Sequence, residues 1–230
     1  MTSGRRPLRL AIALGLGGLL TVALLALGIW QVQRRAWKLD LIARVEARIH
    51  AAPVAPPAFD RDPAALEYTR VRLTGRFVGG SPTLVQAVTD YGGGFWAIQP
   101  LRTAAGTILV NRGFVPAGKP ALAPAGEVSL VGLIRRSEPG GGFLRANDPA
   151  AGRWYSRDVA AIAAARGIAP VAPWFVDAEA SAGSGYPKGG LTVVQFRNNH
   201  LVYALTWFTL AAMVAGAMAV LIRGERRKSG

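Results

Sequence analysis

Two long apolar runs dominate the pattern of hydrophobic and polar positions along the chain. Neither 10–30 nor 201–222 contains a charged residue. At 1.5 Å per residue, the first run makes a helix of roughly 31 Å, which matches the hydrocarbon core of a bilayer. We predict a transmembrane helix at each run. A cleaved signal peptide is the alternative for the first, but its apolar stretch exceeds the usual h-region and no small-x-small cleavage site follows it.

The segment after the first run keeps helical spacing before it changes character. Trp30, Trp37 and Leu41 recur at intervals of seven and four, which predicts a helical extension at 31–51. The prolines of AAPVAPP follow, and proline ends a helix because it lacks an amide donor and restricts the residue before it. We therefore predict an extended linker at 52–64.

From residue 71 onward, short apolar runs alternate with turns that contain glycine or proline. VRLTGRF (71–77) alternates with period two, as a half-buried strand does, and Gly75 on its inward row predicts a close backbone approach or a bulge. Further runs of this kind start at positions 83, 95, 107, 128, 174 and 191. Many short strands at such spacing predict an antiparallel sheet that curls toward a barrel or a sandwich.

One segment departs from the strand pattern. SRDVAAIAAARG (156–167) carries an apolar helical face, which Ser156 can cap and Gly167 can end, so it predicts a short helix. The chain shows no internal repeat and no parallel βαβ alternation. The predicted fold class is an α+β membrane protein, in which two transmembrane helices flank an outward-facing antiparallel β domain at 52–200 that contains one short helix.

The formal net charge of +14 raises the question of where the basic residues lie. Seven basic residues flank the apolar runs at the two chain ends. Those before the first run are Arg5, Arg6 and Arg9, and those after the second are Arg223, Arg226, Arg227 and Lys228. The remaining basic residues are spread along the middle without a block. This distribution is typical of membrane flanks and does not suit a nucleic-acid groove, so we predict no nucleic-acid partner.

The same cations predict the topology, because lysine and arginine near a membrane mark its cytoplasmic side. The second apolar run decides the direction, since only Arg197 lies close before it and four basic residues follow it. We predict that the N-terminus (1–9) and the basic tail (223–230) are both cytoplasmic and that 31–200 faces outward.

Composition limits the chemistry that the chain can carry. It has no cysteine and only two histidines, His50 and His200, so neither a thiolate site nor a histidine-rich metal centre can form. No nucleophile elbow and no phosphate-binding glycine loop occurs, and carboxylates are sparse. The protein is predicted not to be an enzyme, and a membrane-tethered enzyme with a paired-acid cleft remains a third interpretation.

The stretch NNHLVYALTWF (198–208) opens the second apolar run with a histidine. Helical spacing places on one side His200, Tyr203, Ala204, Trp207 and Ala211. An imidazole above aromatic and small residues would suit a haem, whose iron takes a neutral imidazole and whose propionates need cations. An anchoring role at the bilayer boundary is the alternative for this histidine. His50 is interpreted as an exposed helix-end residue.

The candidate haem-binding set joins this stripe to the cations and aromatics that follow the first run, on the assumption that the two helices pack side by side. It consists of His200 as axial iron ligand, Tyr203, Trp207, Arg197, Arg34, Arg35, Lys38, Trp30 and Trp37. Close helix packing is predicted for small residues spaced by three or four, namely Ala211, Ala215 and Ala219 in the second helix and Ala11, Gly15 and Gly18 in the first.

Four segments resemble the surfeit locus protein 1 family. LGIWQVQRRAWK (27–38) is similar to the family's first-helix exit, and VRLTGRF (71–77) to its first strand. TILVNRGFVP (107–116) resembles its LVNRGW signature, with Phe114 where tryptophan is common. NNHLVYALTWF (198–208) is similar to the start of its second helix. These matches run in order over nearly the whole chain.

The resemblance implies a non-catalytic assembly factor for haem–copper cytochrome c oxidase. It implies that haem a binds transiently at His200 and is delivered to, or stabilised in, catalytic subunit I, with haem a synthase and membrane lipids as further partners. Gly75, Arg112 and Gly113 fall in its motifs and are expected to be structural or partner-binding. The short N-terminus without a transit peptide fits a bacterial inner-membrane member with a periplasmic central domain. A haem-independent scaffold that binds an oxidase subunit is the alternative.

Overall fold

The protein consists of two compact units. The structure, a computed structural model, describes residues 5–121, 124–142, 144–180, 185–192, 196 and 198–229. A helical unit comprises Met1–Arg44 together with Gln195–Gly230, and a β unit comprises Val45–Val194. The predicted division into apolar terminal helices and a central β domain is therefore confirmed.

Two long helices dominate the helical unit. Helix α1 (Arg5–His50) has 46 residues and helix α4 (His200–Ser229) has 30. Both are long and apolar enough to cross a membrane. Helix α1 continues without a break beyond its charge-free run, as the spacing of Trp30, Trp37 and Leu41 predicted.

Helices α1 and α4 pack antiparallel through positions that lack bulky side chains. A side chain at Gly17 would overlap Met218, and one at Gly28 would overlap the ring of Phe208. As α1 advances, its partners on α4 therefore recede along the sequence, which defines the antiparallel arrangement. The buried residues of the two helices in the helical unit include Leu24, Gly28, Gln31, Ala204 and Ala211.

The small residues predicted to pack the pair are only partly those at the contact. Ala211 is buried, but exposed positions include Ala11, Gly15, Ala215 and Ala219. An interval of four residues advances a helix by about 400°, so successive positions drift by about 40° from a straight contact line. The observed contact alternates steps of three and four instead, which keeps it on one side of each helix.

Among the described residues of the β unit, six strands form a barrel-like sheet. They are β1 (Arg70–Phe77), β2 (Thr83–Thr89), β3 (Gly92–Thr103), β4 (Gly106–Pro116), β5 (Val128–Arg136) and β6 (Val171–Ala178). Their order is β1-β5-β6-β4-β3-β2, and an additional pairing of β1 with β3 closes five of them into a ring. Strand β2 extends the sheet from β3.

The prediction of a wholly antiparallel sheet is wrong for one pair. Strands β4 and β6 are parallel, with Val110 opposite Val176, while the other strand pairs of the described sheet are antiparallel. Between these two strands the chain passes through β5 and helix α3 (Val159–Ala165). A parallel pair needs such a long crossover, and here the antiparallel β5 supplies part of it.

Period-two alternation along the strands separates two apolar clusters. One fills the barrel around Trp174, which is 0% exposed, and the other packs α3 against the outer face of the sheet. Trp174 and its neighbour Phe175 belong to different clusters because consecutive side chains of a strand point to opposite faces. The sheet is therefore buried on both faces where it carries the residues described below.

Two local predictions need correction. Helix α3 is capped by Asp158, whose carboxylate accepts the Ala161 amide at 3.1 Å, and not by Ser156. The Ser156 hydroxyl oxygen instead accepts a hydrogen bond from the Asn147 side-chain amide at 3.0 Å. Aspartate lies one residue before the helix, where a side-chain acceptor can reach the free amides of the first turn.

The predicted linker at 52–64 is not extended throughout. Helix α2 (Pro63–Leu66) begins within it, with Asp62 as the cap and proline at the first helical position, where its missing amide costs nothing. The strand predicted from position 191 is not formed at Leu191 and Thr192, and 193–195 lie outside the described residues.

Candidate functional site

His200 begins helix α4 and reaches the opposite helix of the same unit. Its Nδ1 lies 2.7 Å from Oε1 of Gln31 on α1. Gln31 is only 9% exposed, although it stands one residue beyond the charge-free run. The antiparallel packing explains the contact, because the start of α4 meets α1 one turn beyond Gly28. We call His200 and Gln31 the polar pair.

The stripe predicted on α4 is only partly on the side that faces α1. Ala204 and Ala211 are buried and Trp207 is half-buried, whereas Tyr203 is 53% exposed. Tyr203 lies about 80° from Ala211 around the helix, which turns it away from the contact line. The structure therefore brings Trp207 onto the face that begins with His200, and it leaves Tyr203 on the outer surface of the pair.

Two of the candidate cations continue the face of α1 that carries Gln31. Arg35 and Lys38 follow Gln31 by four and seven positions, which places them on the same side of the helix, and both are half-buried. They lie beyond the position at which α4 begins to pair with α1. The third cation expected here, Arg197, lies outside the described residues.

The other candidates on α1 lie on different faces. Arg34 is exposed, and its guanidinium carbon is 4.5 Å from the centre of the Trp37 ring, within range of a cation–π interaction. Trp30 is 49% exposed and Trp37 50%. Neither tryptophan faces α4, and both lie on the outer surface of the helical unit.

A second polar constellation lies in the β unit, on the outer face of the barrel. Its centre is Asp177 on β6, whose side chain is 5% exposed. The carboxylate accepts hydrogen bonds from Asn111 Nδ2 (2.8 Å), Thr192 Oγ1 (3.1 Å), Arg157 Nη1 (3.2 Å) and Arg135 Nη1 (3.5 Å). We call these five residues the Asp177 cluster. A cavity of about 220 Å³ opens beside it.

Strand order explains how the Asp177 cluster forms. β6 lies between β5 and β4 in the sheet, so Arg135 and Asn111 reach Asp177 from its two neighbouring strands. Because both oxygens of the carboxylate accept hydrogen bonds, its buried charge is compensated. This arrangement stabilises the junction of three strands. Within the described ranges, no three His, Asp or Glu side chains converge as a metal site.

The LVNRG segment lies in β4, and its polar and small residues have structural contacts. The Asn111 side-chain oxygen accepts the Gly113 amide at 3.1 Å. Gly113 has φ +124°, and a side chain there would overlap the carbonyl group of Lys188, which pairs with the backbone of Phe114. Only glycine combines that conformation with such a close approach.

Arg112 points to a different environment. It donates a hydrogen bond to Gln99 Oε1 at 2.9 Å, and its guanidinium carbon lies 5.1 Å from the centre of the Phe77 ring. Burial lowers the pKa of Arg112. Together with Phe77 and Tyr186 it lines a cavity of about 360 Å³.

Gly75 occupies the point at which the barrel closes. A side chain at Gly75 would overlap the carbonyl oxygen of Arg102 on β3, where β1 and β3 pair. The close backbone approach predicted for this glycine is confirmed. Its role in the described structure is architectural.

Comparison with known proteins establishes the family. The sequence model of the SURF1 family matches residues 18–212, a range that contains the polar pair and the Asp177 cluster. The chain belongs to the SURF1 family. Surfeit locus protein 1 of Homo sapiens is 39% identical to it, over 84% of this chain and 72% of that protein. The Mus musculus protein of the same name is also 39% identical, over 81% of this chain and 68% of that protein. The SURF1-like protein of Monosiga brevicollis is 36% identical, over 91% and 87%.

In this member of the SURF1 family, Arg157 connects the Asp177 cluster to Glu138. Arg157 Nε donates to Glu138 Oε2 at 3.0 Å. Burial raises the pKa of Glu138, but the hydrogen bonds and charge of Arg157 lower it by more, so the net pKa lies below its ordinary value. Burial lowers the pKa of Arg157, but the hydrogen bonds to Glu138 and the negative charge of Asp177 raise it by more. The net pKa of Arg157 therefore lies above its ordinary value.

Several residues of both constellations were not predicted from the sequence. Gln31 gave a weak signal, since an amide at the end of a charge-free run, three residues after a glycine, can face a partner helix. Asp177 gave another, because it is an acid within the apolar strand VAPWFVDA. Asn111 stood beside two residues singled out in the LVNRG segment. Arg157 had no signal of its own in the sequence.

Proposed function

We propose that the protein is an assembly factor for haem–copper cytochrome c oxidase that binds haem a at the start of α4. It delivers the haem to catalytic subunit I or stabilises it there, and haem a synthase is a second partner. Membership of the SURF1 family supports the assembly role. The observation that supports the haem role is the polar pair, a histidine held by a buried glutamine between two apolar helices.

The residues of the helical unit fit a haem in their donor chemistry. Bound haem would supply an iron that takes a neutral imidazole nitrogen as an axial ligand. His200 has one ring nitrogen engaged by Gln31, which leaves the other for the metal. Metal-ligating histidines nearly always carry such a hydrogen bond on the second nitrogen.

The surroundings of His200 fit the rest of such a ligand. Arg35 and Lys38 offer positive charge to its two carboxylates on the face that continues from Gln31. Trp207 Nε1 and Asn198 Oδ1 are buried without a hydrogen-bond partner among the described residues.

A single histidine ligand suits temporary binding. An oxidase site that coordinates the haem iron with two histidines would bind the haem more tightly than a site with one histidine ligand. The protein would then lose its haem to the subunit it serves, which is the property a delivery factor needs.

The test compares two histidine variants of the full chain. We expect the protein purified from cells that make haem a to carry it, and His200→Ala to lose most of the pigment. His50→Ala is the matched control, because the His50 side chain is 75% exposed and its ring contacts Glu46 of its own helix turn. Equal pigment content in the two variants would show that His200 is not the ligand.

The scaffold interpretation predicts a different result. A protein that recognises subunit I through its helices alone would co-purify with that subunit from cells unable to make haem a. The same protein purified from cells that do make haem a would carry no pigment. These two results together would replace the haem proposal.

We also propose that both termini lie on the cytoplasmic side of a bacterial inner membrane, with the β unit in the periplasm. The excess of basic residues after the apolar part of α4 supports this direction. Because the chain has no cysteine, a single Lys119→Cys variant can be labelled selectively. A membrane-impermeant maleimide should label it in intact cells, and labelling only after lysis would reverse the topology.

A further inference from the structure

We infer that Gln31 is a positioning residue for His200, which holds the imidazole in the tautomer protonated at Nδ1 and keeps Nε2 free to bind a metal. This inference rests on the proposed function for the metal, but the tautomer itself is a property of the protein without haem.

The direction of the hydrogen bond selects one tautomer of His200. The oxygen of a glutamine amide only accepts hydrogen bonds, so the nitrogen 2.7 Å away must donate. A neutral imidazole has one proton on its two nitrogens, and a proton at Nδ1 leaves the lone pair at Nε2. The contact is therefore possible for one neutral tautomer only, the one whose Nε2 can coordinate iron.

Helix packing makes Gln31 able to impose this choice. The side chain is 9% exposed, and Gly28 one turn before it lets Phe208 approach closely. Burial deprives the amide oxygen of water as an alternative partner, so losing the imidazole would leave it unsatisfied. The orientation of His200 thus depends on the register of α1 against α4.

Two variants separate acceptor chemistry from packing. Gln31→Glu keeps an acceptor oxygen at the same reach, and Gln31→Leu keeps the approximate size but has no acceptor. Gln33→Leu is the matched control, because Gln33 is an exposed residue of the same helix. Circular dichroism of each variant should show the same helix content.

The first measurement needs no haem. His50→Ala leaves one histidine in the chain, so the imidazole ¹⁵N signals of the full protein in micelles, at alkaline pH, belong to His200. We expect the Nδ1-protonated form in this background and with Gln31→Glu, and a shift toward Nε2 protonation with Gln31→Leu. An Nε2-protonated imidazole before any change at Gln31, or no response to Gln31→Leu, would overturn the inference.

The second measurement titrates the purified apoprotein with haem a and follows the absorption spectrum. We expect Gln31→Leu to weaken binding by about 10–100-fold, the usual effect of losing a hydrogen bond to a ligating histidine. Gln31→Glu should restore binding, and Gln33→Leu should leave it unchanged. Equal affinities for the two leucine variants would refute the positioning role. Failure of the unaltered chain to bind haem would refute the proposed function, while the tautomer measurement still decides the role of Gln31.

Discussion

Replacement of Asp177 by alanine tests how the β unit is held together. The substitution removes the acceptor of Asn111, Thr192 and both arginines, and it leaves Arg157 and Arg135 with side chains only 16% and 17% exposed. Breaking a buried ion pair by removing one partner costs about 3–5 kcal/mol, because the remaining charge is uncompensated. Glu138 and Glu67 still pair with the two arginines, which favours the lower end of this range.

The expected effect is large enough to measure on the full chain in detergent. For a domain of roughly 150 residues, 1 kcal/mol shifts the melting temperature by about 2–4 °C, so we expect a decrease of about 10 °C. Intrinsic fluorescence reports the transition, since Trp174 is fully buried in the barrel.

Asp148→Ala provides the matched control for this experiment. Asp148 is bonded to Arg153 at 2.6 Å, but the two side chains are 37% and 64% exposed. Solvent screens such pairs, so the melting temperature should change little. If Asp177→Ala shifted the transition no more than Asp148→Ala does, the Asp177 cluster would not be a stabilising junction.

Two further predictions concern the β unit. The pKa of Glu138 lies below its ordinary 4.5, so its stabilising contribution is complete above that pH and is lost as the pH falls through the folded-state value. Denaturant midpoints should therefore fall less steeply below about pH 4.5 in Glu138→Gln, and an unchanged slope would contradict the Arg157 pairing. A methyl group at Gly152 would meet no neighbouring atom, so Gly152→Ala should lower the free energy of unfolding by about 1–2 kcal/mol through its positive φ alone. A methyl group at Gly113 would also overlap the Lys188 carbonyl, so Gly113→Ala should melt at a clearly lower temperature than Gly152→Ala. Equal melting temperatures of the two variants would show that this contact does not matter for stability.

The strands could be predicted from the sequence because their pattern is local. VRLTGRF alternates apolar and polar residues. In the structure Val71, Leu73 and Gly75 are buried, and the two arginines and the threonine between and after them are exposed. Each such run reports only which side of its own strand is covered. The parallel pairing of β4 with β6 depends on the order in which strands meet, and no single run contains that information.

The polar pair was only half predictable for the same reason. His200 stood out because histidine is rare in the chain and opens an apolar helix. Its partner Gln31 is 169 positions away, and their meeting depends on how two helices align. The Asp177 cluster likewise combines side chains from β4, β5, β6 and two loops. Pairwise contacts of this kind follow from the assembled fold.

The position of β6 has a consequence for synthesis of the chain. In the ring, β6 fills the place between β5 and β4, yet it is the last of the described strands to leave the ribosome. Until residue 178 has emerged, β4 and β5 each expose an unpaired edge with apolar side chains, and such edges recruit other strands. A chain that stops before β6 should therefore aggregate as an open sheet, whereas one that stops after Thr192 retains everything needed to complete the ring of strands.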